Sequence, residues 1–315
     1  FPYTTLFRSM QSIAFSSASR EIKQLTLHEP KGTPRAVVQI IHGMAEHYAR
    51  YHPLAEYLSG HGFAVAGWDQ IGHGPNTPKD QLGYLGDYNG WQRLVYDAST
   101  VHTILTQRWP DSKHIILGHS MGSFVAREYA IQFGHEHLHG LVLSGTAWIP
   151  PAKVKQGLLV SRLVCALGGK RKPAPIIDKL AFSANNKPFE LARTRYDWLS
   201  RDEEQVDRYV ADPLCGFVFT GGGYRELFRG LKLLTQTERL RQIPTGLPVL
   251  LISGEQDPVG GPQAAGPRTV ADQLRAAGLT DITLSIYPDA RHELFNETNN
   301  AQAMADLLTW LTRIA

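Results

Sequence analysis

Ile116-Leu117-Gly118-His119-Ser120-Met121-Gly122 is the stretch on which the fold turns. It holds a Gly-x-Ser-x-Gly pattern where a short apolar strand, His114 to Leu117, gives way to an amphipathic helix from Met121 to Phe133. A serine at so sharp a strand-to-helix turn projects its hydroxyl from the end of a sheet, and the next N–H can face an oxyanion. The five-residue pattern recurs by chance. Its setting between strand and helix is far more selective, and it predicts a nucleophile at Ser120 rather than a structural turn serine.

Two downstream segments supply partners. Val249 to Ser253 reads as an apolar strand followed by Gly254-Glu255-Gln256-Asp257-Pro258, which puts Asp257 in the loop beyond the strand. Ile282 to Tyr287 reads as another strand, with Ile282, Leu284 and Ile286 alternating on one face, and Pro288-Asp289-Ala290-Arg291-His292-Glu293 follows. Serine, acid and histidine each fall just past the carboxyl end of a strand. Histidine has the pKa suited to taking and returning a proton near neutrality, and a buried acid would hold its tautomer. Asp257 is the expected acid. Asp289 is the principal substitute, although it shares the loop of His292, and Glu255 is a weaker one. The turn His42-Gly43-Met44 is placed to provide an oxyanion donor. The donors would be the backbone N–H groups of Met44 and Met121, so neither sulfur atom needs a catalytic role.

Composition narrows the class. A chain of 315 residues suits one large core, or a core with an inserted subdomain. Its formal charge of +3 is mild, and no basic groove interleaved with aromatics suggests nucleic-acid binding. Lys170, Arg171 and Lys172 form the tightest basic cluster, by default a solvated loop; weak attraction to anionic lipid surfaces stays open. Cys165 and Cys215 read as small buried residues rather than a disulfide or metal ligands. No apolar run reaches membrane-spanning length and no secretory signal is visible, so a cytoplasmic location, peripheral to membranes at most, is the default expectation. Residues 1–9 lack clean periodicity and read as a non-native leader, with Met10 as a natural start.

The path of the chain alternates strands and helices. Glu21 to His28 suits an edge strand; Ala36 to Ile41, Gly62 to Trp68 and Leu141 to Ser144 are further strands. Tyr51 to Ser59 and Gly90 to Arg108 suit helices, the second stopped by Pro110, and Val270 to Ala277 and Ala301 to Ile314 follow late in the chain. This succession predicts an α/β fold, a mostly parallel sheet covered by helices on both faces. The rhythm breaks between Gly145 and Val249, too long an interval for a structureless connection. Helical pieces at Ala152 to Leu167, Pro188 to Leu199, Asp202 to Val210 and Tyr224 to Gln236 predict a helical cap. The expected division is core 10–145, cap 146–240 and core 241–315, with no internal repeat.

Other chemistries fit poorly. His42, His47 and His73 lie in two Gly-containing turns without a compact zinc-ligand set, so no metal site is expected. Asp69-Gln70-Ile71-Gly72-His73-Gly74 lacks dinucleotide-fingerprint spacing and reads as a tight turn near the site entrance. Glu46 and His47 are candidates for positioning the oxyanion turn.

Together these motifs resemble the α/β-hydrolase superfamily, more narrowly its monoacylglycerol lipase and lysophospholipase group. His42-Gly43-Met44-Ala45-Glu46-His47 resembles that group's oxyanion segment, and Gly118-His119-Ser120-Met121-Gly122 its nucleophile elbow. Asp257-Pro258 and His292-Glu293 fit its acid and histidine regions, and Tyr196-Asp197-Trp198-Leu199-Ser200-Arg201-Asp202 is similar to a block in the cap of bacterial members. Pro75-Asn76 departs from the small hydroxyl residue common after the Asp69 to Gly74 turn, which touches a supporting turn only. The resemblance covers most of Glu21 to Ala315.

It implies hydrolysis of a fatty-acid ester, most naturally a monoacylglycerol, through an acyl-serine intermediate and without a metal or organic cofactor. Leu158, Leu159, Leu163 and Phe182 are candidates to line the acyl site, with ordinary cap packing as the alternative. The partner implied is a small lipid ester, with transient membrane-surface contact left open and the oligomeric state undetermined. Competing readings are a lysophospholipase or general carboxylesterase, a capped serine aminopeptidase, and a non-catalytic binding protein on the hydrolase fold. An aminopeptidase cap should present acids to a substrate amine; a lipid hydrolase should present an apolar channel.

Overall fold

The computed structural model describes residues 10–189 and 191–315, and among these eight strands alternate with helices long enough to cross them and assemble into one sheet. The strands are β1 (Met10–Ser16), β2 (Ile22–His28), β3 (Ala36–Ile41), β4 (Ala64–Trp68), β5 (Lys113–His119), β6 (Leu138–Ser144), β7 (Val249–Gly254) and β8 (Ile282–Tyr287). Their order across the sheet is β1-β2-β4-β3-β5-β6-β7-β8. β1 and β2 run antiparallel to their neighbours, and every pairing from β4 to β8 is parallel. This is the mostly parallel, helix-covered α/β sheet expected from the sequence.

Parallel strands covered on both faces need apolar residues at successive positions. The central strands meet this demand by sending neighbours to opposite layers. Val37, Ile116, Leu141 and Leu251 join one core, against α2 (Gly90–Arg108), α3 (Met121–Phe133) and α8 (Ala265–Ala276). Val38, Leu117, Val142 and Ile252 join the other, against α1 (His52–Gly60) and α9 (Asn300–Ile314).

Between β6 and β7 lie α4 (Pro151–Val164), α5 (Pro175–Phe182), α6 (Glu203–Ala211) and α7 (Gly221–Leu234). This insertion docks on loops at the carboxyl end of the sheet. Gly216 N–H and Tyr209 Oη donate to Ala45 O beyond β3. Thr220 N–H donates to Gly83 O beyond β4, and Glu293 N–H beyond β8 donates to Leu199 O.

Several expectations need correction. β2 is not an edge strand: β1, which has no clear alternation of its own, pairs along its outer side. The helix expected over Pro188 to Leu199 is absent over the described residues of that span, where only Asp197–Leu199 makes a single 3₁₀ turn. Asp197 explains this, because its carboxylate accepts the N–H groups of Arg193 and Thr194 and so diverts donors a helix would use. α5 was not expected, and α7 starts at Gly221, three residues early. Lys170 and Arg171 lie on an exposed turn, as expected, and pair there with Asp87; Cys165 is half-buried rather than buried. The proposed leader, residues 1–9, lies outside the described residues. Among the described residues no helix is long and apolar enough to cross a membrane.

Candidate active site

Ser120 stands between β5 and α3 at φ 50°, ψ −119°. Positive φ is strained for a residue with a Cβ, and such strain persists only where the surroundings impose it. Here they do: Ser120 N–H donates to Ser144 O at 2.9 Å, while Ser120 O accepts from Ser123 N–H and Oγ. Two glycines let the elbow close. A Cβ on Gly118 would collide with the Gly122 carbonyl, and one on Gly122 with the carbonyls of Ile41 and His42. The helix therefore starts directly against the end of β3, where the His42-Gly43-Met44 turn begins. A Cβ built on Gly43 would lie 3.3 Å from Ser120 Cβ, so this turn passes against the serine.

Met121 is buried at the first position of α3, where an N–H has no acceptor inside the helix. Met44 N–H makes no hydrogen bond among the described residues, and its side chain packs half-buried on the core. The turn around it is held by other groups. Gln70 donates to His42 from its backbone N–H (3.0 Å to Nε2) and its side chain (2.7 Å to O). Ala45 N–H donates to His73 Nε2 at 3.2 Å.

His292 and Asp257 are buried at 2% and 1% exposure, with Nδ1 of the ring 2.9 Å from Oδ2 of the acid. The other oxygen, Oδ1, accepts Val259 N–H at 2.8 Å, so the carboxylate is held from both sides. Asp289 and Glu255 are exposed, and neither bonds to the ring. Burial works to lower the His292 pKa, yet the Asp257 charge and hydrogen bond, with Glu293 and Glu46 beyond, carry it above the ordinary value. His119, the last residue of β5, has its ring centroid 4.8 Å from that of His292. Burial, then the neighbouring His292, lowers its pKa to about 4, so it stays neutral beside the catalytic candidate.

Around this pair the sequence reading missed several groups. Arg50 donates to Glu46 and, with both Nη atoms, to Glu293. Its guanidinium lies over the Tyr209 ring, 4.8 Å from the centroid. Trp198 lies 5.1 Å from the His292 ring and stacks on Phe182. The Glu46/Arg50 spacing of four within a turn was a visible signal for the first pair; nothing local marked the others.

The expected lining residues separate. Phe182 is half-buried and reaches the site through the Trp198 stack. Leu158 is buried, while Leu159 and Leu163 are 68% and 59% exposed and lie one turn apart on the outer face of α4. Half-buried Met44, Trp148, Val164, Phe217 and Val259 pack on the same core from the oxyanion turn, the loop after β6, the insertion and the loop after β7. A cleft of about 450 Å³ adjoins the histidine loop at Arg291, but its walls include Arg193, Arg201 and Glu203, and neither Ser120 nor His292 lines it. His47, Asp212 and Cys215 group their ligand atoms within 4.8 Å; His47 bonds Asp212 at 2.7 Å and so joins the oxyanion turn to the insertion.

The family model described as serine aminopeptidase, S33, matches residues 32–299. A monoacylglycerol lipase from Mycolicibacterium smegmatis is 31% identical over 285 residues, covering 90% of each chain. Human monoglyceride lipase is 29% identical, covering 85% of this chain and 79% of its own. A thermostable carboxyl esterase from Bacillus coagulans, solved in complex with glycerol, superimposes with a TM-score of 0.89 at 27% identity, covering 98% of this chain and 99% of its own.

Proposed function

The chain belongs to the serine aminopeptidase S33 family of α/β-hydrolases, and from that premise we propose that it hydrolyses monoacylglycerols through an acyl-serine intermediate. It is a serine ester hydrolase. The observation that carries the reading is the buried Asp257–His292 pair set at the same sheet end as the strained Ser120 elbow.

In this reading His292 takes the Ser120 Oγ proton through Nε2, since Nδ1 faces Asp257. The oxygen attacks the acyl carbonyl, and the developing oxyanion is held by the N–H groups of Met44 and Met121. Collapse expels glycerol, which takes the proton back from His292. Water, deprotonated by His292, then releases the fatty acid and restores Ser120. Residues 146–240 would act as a cap over this site.

The fate of the carboxylates favours an ester with an acyl chain over a peptide amine. Glu46 and Glu293 are engaged by the one Arg50 guanidinium, Asp197 by backbone donors and Thr194, and Asp212 by a hydrogen bond with His47. None of these four is left free to hold a substrate ammonium, whereas half-buried apolar groups from the turn after β3, the loops after β6 and β7 and the insertion pack on one core. The relatives named as monoacylglycerol lipases and the glycerol-bound esterase support the same choice.

The outer cap face suits a lipid surface. Leu159 and Leu163 on α4, and Ile176 and Leu180 on α5, are exposed pairs at one-turn spacing. From Pro151 to Lys187 the chain carries eight Lys and Arg against one acid, Asp178, which is bound to Arg195 and Tyr224. Each such cation near an anionic membrane contributes about 1 kcal/mol, so the cap would dock peripherally where substrate resides.

The test is fatty-acid release from monooleoylglycerol, with a lysophospholipid and leucine p-nitroanilide in parallel, by wild type and Ser120→Ala. Release from the acylglycerol that vanishes in the folded variant is the expected result. Cleavage of the amide in preference to both lipids would overturn the substrate assignment.

A further inference from the structure

We propose that Arg50 is a positioning residue for the hydrolysis: its guanidinium locks the oxyanion turn to the histidine loop by holding Glu46 of the first and Glu293 of the second. The inference rests on the serine-hydrolase reading above and adds a residue to it.

The geometry is a forked bridge. Nη1 lies 2.6 Å from Glu46 Oε2 and 2.6 Å from Glu293 Oε1, while Nη2 lies 2.5 Å from Glu293 Oε2. Glu293 is the residue after His292, and its N–H is held by Leu199 O of the insertion at 2.8 Å. The remaining Glu46 oxygen, Oε1, accepts Gly43 N–H at 2.5 Å and Tyr51 Oη at 2.8 Å. Gly43 directly precedes Met44 in the turn that passes against Ser120. One guanidinium thus connects, through single side chains, the backbone of the oxyanion donor to the backbone beside the general base.

Both carboxylates are buried and the guanidinium nearly so, and carboxylates held so deeply are costly to leave without a cation. Burial pushes the Glu46 carboxyl up, but Arg50 first, then His119, His42 and the Tyr51 hydroxyl, bring it down to about 2, so it is ionised whenever the enzyme works. The fork matters as much as the charge. Arginine can serve two carboxylates in fixed directions, whereas an ammonium offers a point charge without that geometry. Tyr209 closes the arrangement, lying under the guanidinium while its hydroxyl donates to Ala45 O in the same turn. A general structural ion pair would lower stability when broken and leave transition-state recognition alone; a register device would not.

The experiment compares wild type, Arg50→Lys, Arg50→Met and Ser120→Ala. Three quantities are read: kcat and KM on monooleoylglycerol, affinity for a long-chain trifluoromethyl ketone, which forms a tetrahedral adduct with the serine, and affinity for the unreactive ether analogue of the substrate. Arg50→Lys is expected to lose about tenfold or more in kcat, with KM within about threefold, as a misaligned oxyanion site requires. Ketone affinity should fall by the same factor while ether affinity holds. Should Arg50→Met fail to fold, Arg50→Lys decides; should both fail, Glu46→Gln, which keeps an acceptor for Gly43 N–H but loses the ion pair, carries the same expectation. A kcat close to wild type, a loss confined to KM, or equal losses for ketone and ether would overturn the proposal. Wild type that fails to hydrolyse any ester in a Ser120-dependent way would overturn the functional reading itself, and this one with it.

Discussion

Gly122→Ala sets two physical effects against each other at the elbow. By helix propensity alone the change should help, since alanine is favoured over glycine by about 1 kcal/mol inside a helix. Packing says otherwise. A Cβ at residue 122 would stand 2.5 Å from the His42 carbonyl oxygen and closer still to that of Ile41. Ordinary carbon–oxygen contacts are about 3.3 Å, so helix α3 and the end of β3 must separate by about 0.8 Å or more. Both obstacles are backbone atoms, and no rotamer change relieves them. Overpacking of this kind costs about 1–3 kcal/mol, which outweighs a propensity gain already reduced in the first turn. The larger effect falls on chemistry, because the separation lies between the proposed donors, the N–H groups of Met121 and Met44. A misplacement near 1 Å can lower a rate about 100-fold, equivalent to about 2.7 kcal/mol of transition-state binding. Ester hydrolysis by the purified variant, alongside its calorimetric melting midpoint, should show kcat down by about that factor with the midpoint lowered by a few degrees. A variant more stable than wild type and within about threefold of its kcat would refute the reasoning, because the glycine would then not be set by the close approach.

Three further outcomes are expected. Asp257→Asn should lower kcat about 10⁴-fold, the loss expected when the ring keeps its place but not its tautomer, with the melting midpoint reporting that the fold survives. His292 must be neutral to accept the serine proton, and its pKa is raised, so the acidic limb of kcat/KM should lie above the ordinary imidazole value of about 6.5; a limb below it would contradict the Asp257 contribution. The same shift acts on stability in the opposite sense, contributing fully below the unfolded value and fading as pH rises through the folded one. Leu163→Asp combined with Leu180→Asp, both exposed in solution, should weaken sedimentation with phosphatidylglycerol vesicles while leaving hydrolysis of a dissolved short-chain ester unchanged; undiminished sedimentation would remove the cap face from membrane contact.

What could be read beforehand followed from local rules. α2 and α3 were legible to the residue, because an apolar stripe at helical spacing is bounded by Gly90 and Pro110 in one case and by the elbow and Gly134 in the other. The strand after which each of Ser120, Asp257 and His292 falls was legible for the same reason: buried parallel strands are short apolar runs. The errors have tertiary causes. Three glycines at the start of α7 look like a loop, yet the Thr220 side chain caps Gly223 N–H and the glycines admit the backbones of Gly83, Gly169 and Lys170 at close range. β2 alternates as an edge strand does, and only the pairing with β1 makes it internal. Arg50 was invisible as a bridge because Glu293 is remote in sequence, and no spacing rule connects the two.

The sheet order accounts for why these distant pieces meet. From β3 the chain steps outward to β4, then crosses back to lay β5 on the other side of β3. That reversal is a topological switch point, and the loops leaving the two strands diverge there to open a crevice at their carboxyl ends. The turn after β3 carries Met44 and the turn after β5 carries Ser120, so both walls of the crevice are supplied by the strands that create it. β6, β7 and β8 then follow in sequence order, each extending the sheet away from the crevice. The loops after β7 and β8 must reach back across β6, and Gly145 just beyond β6 makes room: a Cβ there would stand 3.0 Å from both His119 and His292 ring carbons. The histidine loop lies against the end of β7, where a Cβ on Gly254 would collide with the carbonyls of Ala290 and Arg291. Apolar packing of Ala290 and Leu294 and polar links to other loops, Asp257 after β7, Leu199 O in the insertion and Arg50 after β3, fix it further. The sheet places Ser120, the proposed nucleophile; loop packing and a small set of polar links place His292, the proposed base.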